Sequence, residues 1–296
     1  MLELLVPPGI GDFSAMYAKL CKINRPLTIY SAGDEPQRLG PFLDILPRIK
    51  NGGYGSFTAT HSLALTLAPG TDIASLDDGT YYLSINNWLE EGGKVENWIP
   101  GPIDYHYSFN RATSLLEPAW AFLDGLSDGP NIGIYCSAYG NARHWGFWGP
   151  VEWREFLEML RQTLPENTNY IFIGAEYDVQ IAEELYLWMN AIGCNAHLTL
   201  GAFHIGGTAE VIAALDYFFV FPSGLGFIAD VVETPHTMWF PKHLEKMMGT
   251  FTDPATYGRR TFHRLFQTPE EAFADFQLTG REYATRRTRY ARNHHQ

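Results

Sequence analysis

The sequence predicts an α/β protein of two doubly wound, Rossmann-like domains facing each other across a cleft. Three observations lead there. Short apolar runs alternate with helical stripes in both halves, the pattern of parallel strands joined by crossover helices. Glycine-rich and polar loops follow several of the apolar runs, at the edge where such sheets bind ligands. A turn-forming stretch, Ser127-Asp128-Gly129-Pro130, separates the halves.

In chain order, Leu2 to Val6 reads as the first strand. Pro7-Pro8-Gly9-Ile10-Gly11-Asp12 is a turn, and Phe13, Met16, Tyr17 and Leu20 make the apolar stripe of the next helix. Gly11 lets the backbone pass close to a ligand. Asp12 sits at or beside the helix N-cap, where a carboxylate also serves simply as a cap. The turn lacks a full Gly-x-Gly-x-x-Gly, so it is a weak dinucleotide signal. Leu27 to Tyr30 is a second strand, Gln37 to Leu46 a helix stopped by Pro47, and Tyr81 to Ile85 another strand. The signals between Asn51 and Asp78 are mixed. From Asn86 to Asn110, Trp88, Trp98, Tyr105, His106, Tyr107 and Phe109 stand among glycines and prolines. Such aromatic loops line clefts, and at least as often they are packed loop residues. Glu117 to Leu126 is a helix.

After the turn the alternation is clearer. A strand, Ile132 to Cys136, leads through a loop holding Ser137 and Arg143 to a helix with Trp153, Phe156, Leu157 and Leu160 on one face. A strand, Tyr170 to Ile173, leads to Glu176 and Asp178 and a helix striped by Ala182, Leu185, Tyr186 and Met189. His197 to Leu200 leads to a loop with His204, and Tyr217 to Phe221 to Pro222-Ser223-Gly224-Leu225, each followed by a short helix. Thr237 to Phe240 is the last strand. A helix from Thr268 to about Arg289 closes the chain and is expected to pack back on the first domain.

Composition narrows the class. The 296 residues suit one large domain or two ordinary ones, and 46% hydrophobic residues suit a soluble protein. No apolar run is long enough for a bilayer, and Met1 to Pro7 lacks the basic region of a signal peptide, so the expected location is cytoplasmic. Cys21, Cys136 and Cys194 form no Cys-x-x-Cys pair, which speaks for free thiols rather than a disulfide framework or zinc site. The net charge of −12 argues against a broad nucleic-acid surface.

The loops of the second half converge on one chemistry. Arg143 has the planar fork that grips a phosphate. Ser223, Gly224 and Leu225 open a helix, whose bare N–H groups and dipole favour an anion. Glu176 on a neighbouring loop suits ribose hydroxyls. With Ser137 and His204 they describe a pocket for a nucleotide diphosphate. Singly, each has an ordinary alternative: a solvated arginine, a helix-start carboxylate, a packed histidine.

Four segments resemble glycosyltransferase family 9, the heptosyltransferases, whose fold is GT-B. They are Gly9-Ile10-Gly11-Asp12; Ser137 through Arg143-His144-Trp145 with Glu152-Trp153; Ile173-Gly174-Ala175-Glu176 with Ala182-Glu183; and Ser223-Gly224-Leu225 with Ile228-Ala229 and Thr234-Pro235. The resemblance spans most of the chain and is strongest from Asn131 to Pro241. It implies an inverting, metal-independent transfer from a nucleotide-diphosphate sugar, with Asp12 as general base, Arg143 in place of the family lysine, and no cofactor beyond that co-substrate. It also implies an acceptor domain over residues 1–127, a donor domain over 128–267 and a returning helix over 268–296. Pro222 and Phe227 depart from the family pattern, which has an acidic or hydroxyl residue and a histidine there, so heptose itself is not carried over. The expected acceptor is a saccharide or glycolipid. Arg281, Arg286, Arg287, Arg289 and Arg292 motivate one alternative, a viral enzyme that glycosylates a hydroxymethylated DNA base. Pro222 and Phe227 motivate another, a non-catalytic nucleotide-sugar-binding protein.

Overall fold

Parallel strands covered on both faces must be apolar along their length. Tyr217-Phe218-Phe219-Val220 meets that demand, with every residue 0% exposed. The computed structural model describes residues 1–6, 9–31, 36–54, 65–66, 73–83, 107–110, 112–136, 148–242, 245, 248, 258–265 and 267–285. The chain divides into two compact units, Met1–Ala112 with Lys246–Ala255, and Thr113–Glu245 with Thr256–Gln296.

The first unit contains β1 (Leu2–Val6), α1 (Ile10–Leu20), β2 (Leu27–Ser31), α2 (Pro36–Asp44), β3 (Ile49–Tyr54), β4 (Leu65–Thr66) and β5 (Gly79–Tyr82). Its sheet runs β3-β2-β1-β5-β4 with every pairing parallel. β1 is central, and Leu2, Leu4, Leu5 and Val6 are fully buried. α1 buries the stripe expected of it, Phe13, Met16, Tyr17 and Leu20. Burial pushes the Tyr17 phenol up, and its hydroxyl donates to the Pro47 carbonyl. β3 escaped the sequence reading because its Gly52 and Gly53 break the apolar pattern. Gly52 leaves room for the Tyr30 ring: a Cβ would lie 2.5 Å from its Cε1. Of the aromatic stretch, Tyr107 and Phe109 are packing residues. Tyr107 meets Tyr17 edge-on at 4.8 Å and Phe109 at 5.8 Å, and Phe109 meets Phe42 at 5.9 Å. Trp88, Trp98, Tyr105 and His106 lie outside the described residues.

The second unit contains α3 (Thr113–Asp124), β6 (Asn131–Ile134), α4 (Pro150–Thr163), β7 (Asn169–Phe172), α5 (Val179–Ala191), β8 (Asn195–Leu198), α6 (Ile205–Ala213), β9 (Tyr217–Val220), α7 (Gly224–Val231), β10 (His236–Phe240), β11 (Thr261–Leu265), α8 (Pro269–Thr279) and α9 (Arg281–Thr285). Its sheet runs β11-β10-β9-β6-β7-β8, again all parallel. One expectation is corrected. The boundary lies ahead of α3 rather than after Ser127, because α3 packs along α6 and sets Phe122 against His197 at 5.6 Å and Phe203 at 5.7 Å. The close approach needs Gly207, whose Cβ would stand 3.3 Å from that of Ala119. The described part of the closing helix, α8, packs on α4 within its own unit. Phe276 anchors it 5.5 Å from the Tyr217 ring and 5.4 Å from that of Phe219.

α4 carries its sequence-read face inward. Gly149 stands at its N-cap, Pro150 opens it, and Glu152 accepts the Gly149 N–H at 3.0 Å. Trp153 and Phe156 then join Trp148, Phe219, Phe221 and Trp239 in one aromatic cluster. Trp148 lies 5.0 Å from both Trp153 and Trp239.

The amino ends of β6, β7 and β8 are fastened by three asparagines in register, Asn131, Asn169 and Asn195. Asn169 is fully buried. Its amide donates to Asn131 Oδ1 at 2.8 Å and to the Ser127 carbonyl at 3.1 Å. Its oxygen accepts the Ser127 N–H at 3.2 Å, the Ser127 hydroxyl at 2.9 Å and the Asn195 amide. Asn169→Ala is expected to destabilise the protein by about 2–4 kcal/mol, since each buried polar group left unpaired costs roughly 1–3 kcal/mol. Urea unfolding monitored by circular dichroism checks this. A loss below about 0.5 kcal/mol, the range of ordinary surface changes, would mean that the network carries no stability.

Candidate functional site

In the second sheet the chain runs outward from β6 through β7 to β8, then returns to the other side of β6 as β9. The strand order therefore reverses between β6 and β9, the place where open α/β sheets bind ligands at their carboxyl ends. β9 leads through Phe221 and Pro222 to Ser223 and α7. Ser223 occupies the N-cap in an extended conformation, φ −156 and ψ 172, yet its side chain caps nothing. Its Oγ is buried without a hydrogen-bond partner. The first turn of α7, Gly224, Leu225 and Gly226, is pressed onto the sheet: a Cβ on Gly226 would lie 2.5 Å from Met238 Cε and 3.2 Å from the Phe221 carbonyl oxygen. A helix start so placed, with a spare buried hydroxyl beside it, is suited to an anion. Phe227 is 7% exposed and packs inward.

β6 continues through Tyr135 and Cys136, both buried. Ser137 and Arg143, which follow, lie outside the described residues. Burial, helped by the nearby Asp178 charge, holds the Cys136 thiol well above its usual range. β7 exits into a turn of 3-10 helix, Glu176–Asp178, with Glu176 exposed and Asp178 4% exposed. β8 exits through Gly201, at φ 65, toward His204. His204 is the N-cap of α6, and its Nδ1 accepts the Gly206 N–H at 3.3 Å. Its Nδ1 is thus engaged as a helix cap. Ser223, Glu176 and His204 lie on the exits of β9, β7 and β8, along one edge. With strands about 4.8 Å apart, the exits of β9 and β8 are separated by roughly 14 Å. An elongated ligand can span that row; a compact one cannot touch both ends.

In the first sheet the order reverses between β1 and β5, and β1 exits into Gly9 and α1. The Gly9 carbonyl accepts the Phe13 N–H at 3.0 Å. Gly9 therefore takes the cap position, and Asp12 falls in the first turn of α1, two residues after Ile10, instead of at the cap. Gly11 stands directly before it. A carboxylate in this turn is favoured by the helix dipole. The Asp12 side chain lies outside the description. One residue here was missed: Ser31, in register with Val6, is 1% exposed and its Oγ has no partner. The Ala32-Gly33-Asp34 sequence that follows it was the available signal.

Among the described residues, no group of three or more His, Cys, Asp or Glu is placed to hold a metal ion, and no helix is long and apolar enough to cross a membrane. Of the terminal arginines, Arg281 is exposed on α9, and Arg286, Arg287, Arg289 and Arg292 lie outside the described residues.

No family model and no curated protein sequence matches the chain. Solved structures do. The chain is similar to the Escherichia coli ADP-heptose lipopolysaccharide heptosyltransferase II at TM-score 0.62 and 13% identity, over 94% of this chain and 98% of that one. It is similar to a glycosyl transferase of family 9 from Veillonella parvula at TM-score 0.58 and 11% identity, over 93% and 90%. It is also similar to the Escherichia coli heptosyltransferase WaaC with ADP at TM-score 0.55 and 14% identity, over 96% and 99%. The chain has the GT-B fold. Its two parallel sheets, each flanked by helices, are the two Rossmann-like halves of GT-B, and the resemblance read from the four sequence segments led to the same fold.

Proposed function

We propose that this protein is a glycosyltransferase akin to the family 9 heptosyltransferases. In this proposal it works in the cytoplasm and moves a sugar from a nucleotide-diphosphate sugar to a hydroxyl of a saccharide or glycolipid, with inversion and without a metal. The observation that carries the proposal is Ser223, a buried and unbonded hydroxyl at the start of α7, where the strand order of the second sheet reverses. A diphosphate oxygen would satisfy that hydroxyl and the first-turn N–H groups together. Arg143 would add a charge-assisted fork, and Glu176 would receive the ribose.

In the transfer, Asp12 takes the proton of the acceptor hydroxyl and the acceptor oxygen bonds to the anomeric carbon. The bond from that carbon to the diphosphate oxygen breaks, and its electron pair leaves with the nucleoside diphosphate. Amide N–H groups and Arg143 stabilise the charge that develops there.

ADP is the first probe, since the similar WaaC structure holds it. Ser223→Val and Arg143→Ala should each weaken ADP binding while leaving adenosine binding unchanged, Arg143→Ala by about 1.5–3 kcal/mol. Calorimetric titration of both ligands decides it. Equal losses for ADP and adenosine would place these residues away from the phosphates, and release of nucleotide from a donor sugar separates an enzyme from a binding protein.

A further inference from the structure

Asp178 ends the 3-10 turn Glu176–Asp178 and directly precedes α5, with φ −94 and ψ 3. Its carboxylate reaches back to the start of that turn and beyond it. Its Oδ2 accepts the Ala175 N–H at 3.2 Å and the Tyr135 hydroxyl at 3.2 Å. The first of these bonds makes the carboxylate half of a capping box at the start of the turn; the second leaves the turn and ties it to the residue that follows β6. Together they join strand exits. Tyr135 directly follows β6, and Asp178 closes the turn after β7. From the β8 exit, the Gly201 N–H donates to the Gly174 carbonyl at 3.1 Å. Glu176 is carried on this braced turn. Its Cγ lies 2.4 Å from where a Gly201 Cβ would stand, so the glycine leaves room for the glutamate stem. Tyr135 and Asp178 are buried, while Glu176 is exposed at the carboxyl edge.

We propose that Asp178 is a positioning residue, which holds Glu176 at the ribose end of the nucleotide site and ties that turn to the strand that leads into the Ser137–Arg143 segment. This assignment rests on the donor site proposed above. Its test uses ADP, GDP, UDP and CDP, of which the one bound tightest by the full chain is compared with its 2′,3′-dideoxy form by calorimetry. Glu176→Ala is expected to reduce the preference for the ribose form by about tenfold or more, the scale of a lost charge-assisted bond. Asp178→Ala should cause the same loss and leave binding of the dideoxy form unchanged. Asp178→Asn should restore the preference, because one amide oxygen can accept both bonds. A merely structural role would weaken both nucleotides equally, and that result overturns the proposal, as does an Asp178→Ala variant with full ribose preference. If Asp178→Ala does not fold, Tyr135→Phe decides, since it keeps the ring and removes one bond: unchanged ribose preference then overturns the proposal. If Glu176→Ala keeps the preference, or the full chain binds none of the four nucleotides, the donor site itself is wrong and the positioning role falls with it.

Discussion

Asp12→Asn is expected to lower turnover by roughly two to four orders of magnitude, the usual contribution of a positioned general base. Asparagine keeps the shape and loses the ability to take the acceptor proton. Asp12 lies in the first turn of α1 and not at its cap, so the substitution removes a favourable charge–dipole term. That term is worth about 0.3–1 kcal/mol at an exposed helix start. Donor affinity and the melting temperature should therefore stay close to those of the parent protein. Single-turnover rates at saturating donor and acceptor make the comparison. Normal rates would reduce Asp12 to a first-turn carboxylate and remove the base from the proposed reaction.

Thermal stability should fall steeply as the pH drops from about 6.5 toward 4, the window between an unfolded histidine and the folded ones. His236 and His263 are 0% and 2% exposed, and burial lowers them to about 4 and about 3. His236 Nδ1 donates to the Thr234 carbonyl at 2.8 Å, which leaves Nε2 as a bare acceptor. The Asp230 carboxylate is 3.8 Å from that nitrogen, too far to bond, and already accepts the Thr261 hydroxyl at 2.6 Å. Desolvation therefore prevails, helped at His263 by His236 and Arg264. The sign follows from proton counting. Below about 6.5 the unfolded chain binds protons that the folded chain refuses, so acid favours unfolding. Each histidine contributes at most about 1.4 kcal/mol per pH unit, until its own folded value is reached. The lowered carboxyls of Asp78 and Glu158 act only at lower pH, and both are exposed enough for solvent to screen them. Melting curves between about pH 7 and 4.5 check this, with His263→Asn expected to flatten the slope. A melting temperature that does not move across that range would show that the two rings are protonated in the folded protein.

What the sequence disclosed was periodic, and what it hid was not. Apolar runs such as Tyr217 to Val220 and stripes such as Trp153, Phe156, Leu157 and Leu160 are one-dimensional signals, and they gave the parallel sheets. Ser223 was legible because a hydroxyl and a glycine before an apolar helix have a known use. β3 was hidden because Gly52 yields its side-chain space to Tyr30. β11, Thr-Phe-His-Arg-Leu, was hidden because it is an edge strand with a cation in it. α3 was assigned to the wrong unit because a turn of Ser-Asp-Gly-Pro looks the same within a unit as between two. A sequence likewise does not show that a ring nitrogen of His204 caps its own helix. Asp178 was noticed as a carboxylate near a helix start. That its carboxylate also accepts from Tyr135, more than forty residues earlier, is a long-range fact that no local pattern carries.

Among the described residues, β11 is the last strand of the second sheet in sequence and lies at one edge of it. During synthesis the ribosome therefore releases β10 well before the strand that covers it. Until Thr261–Leu265 emerges, His-Thr-Met-Trp-Phe presents an unpaired, apolar edge to the surroundings. An edge of that composition pairs readily with other chains. The nascent protein is thus most exposed to misassembly late in translation, while the sheet lacks this outer strand. Chains truncated between β10 and β11 should be insoluble, although they retain every strand that carries the candidate site.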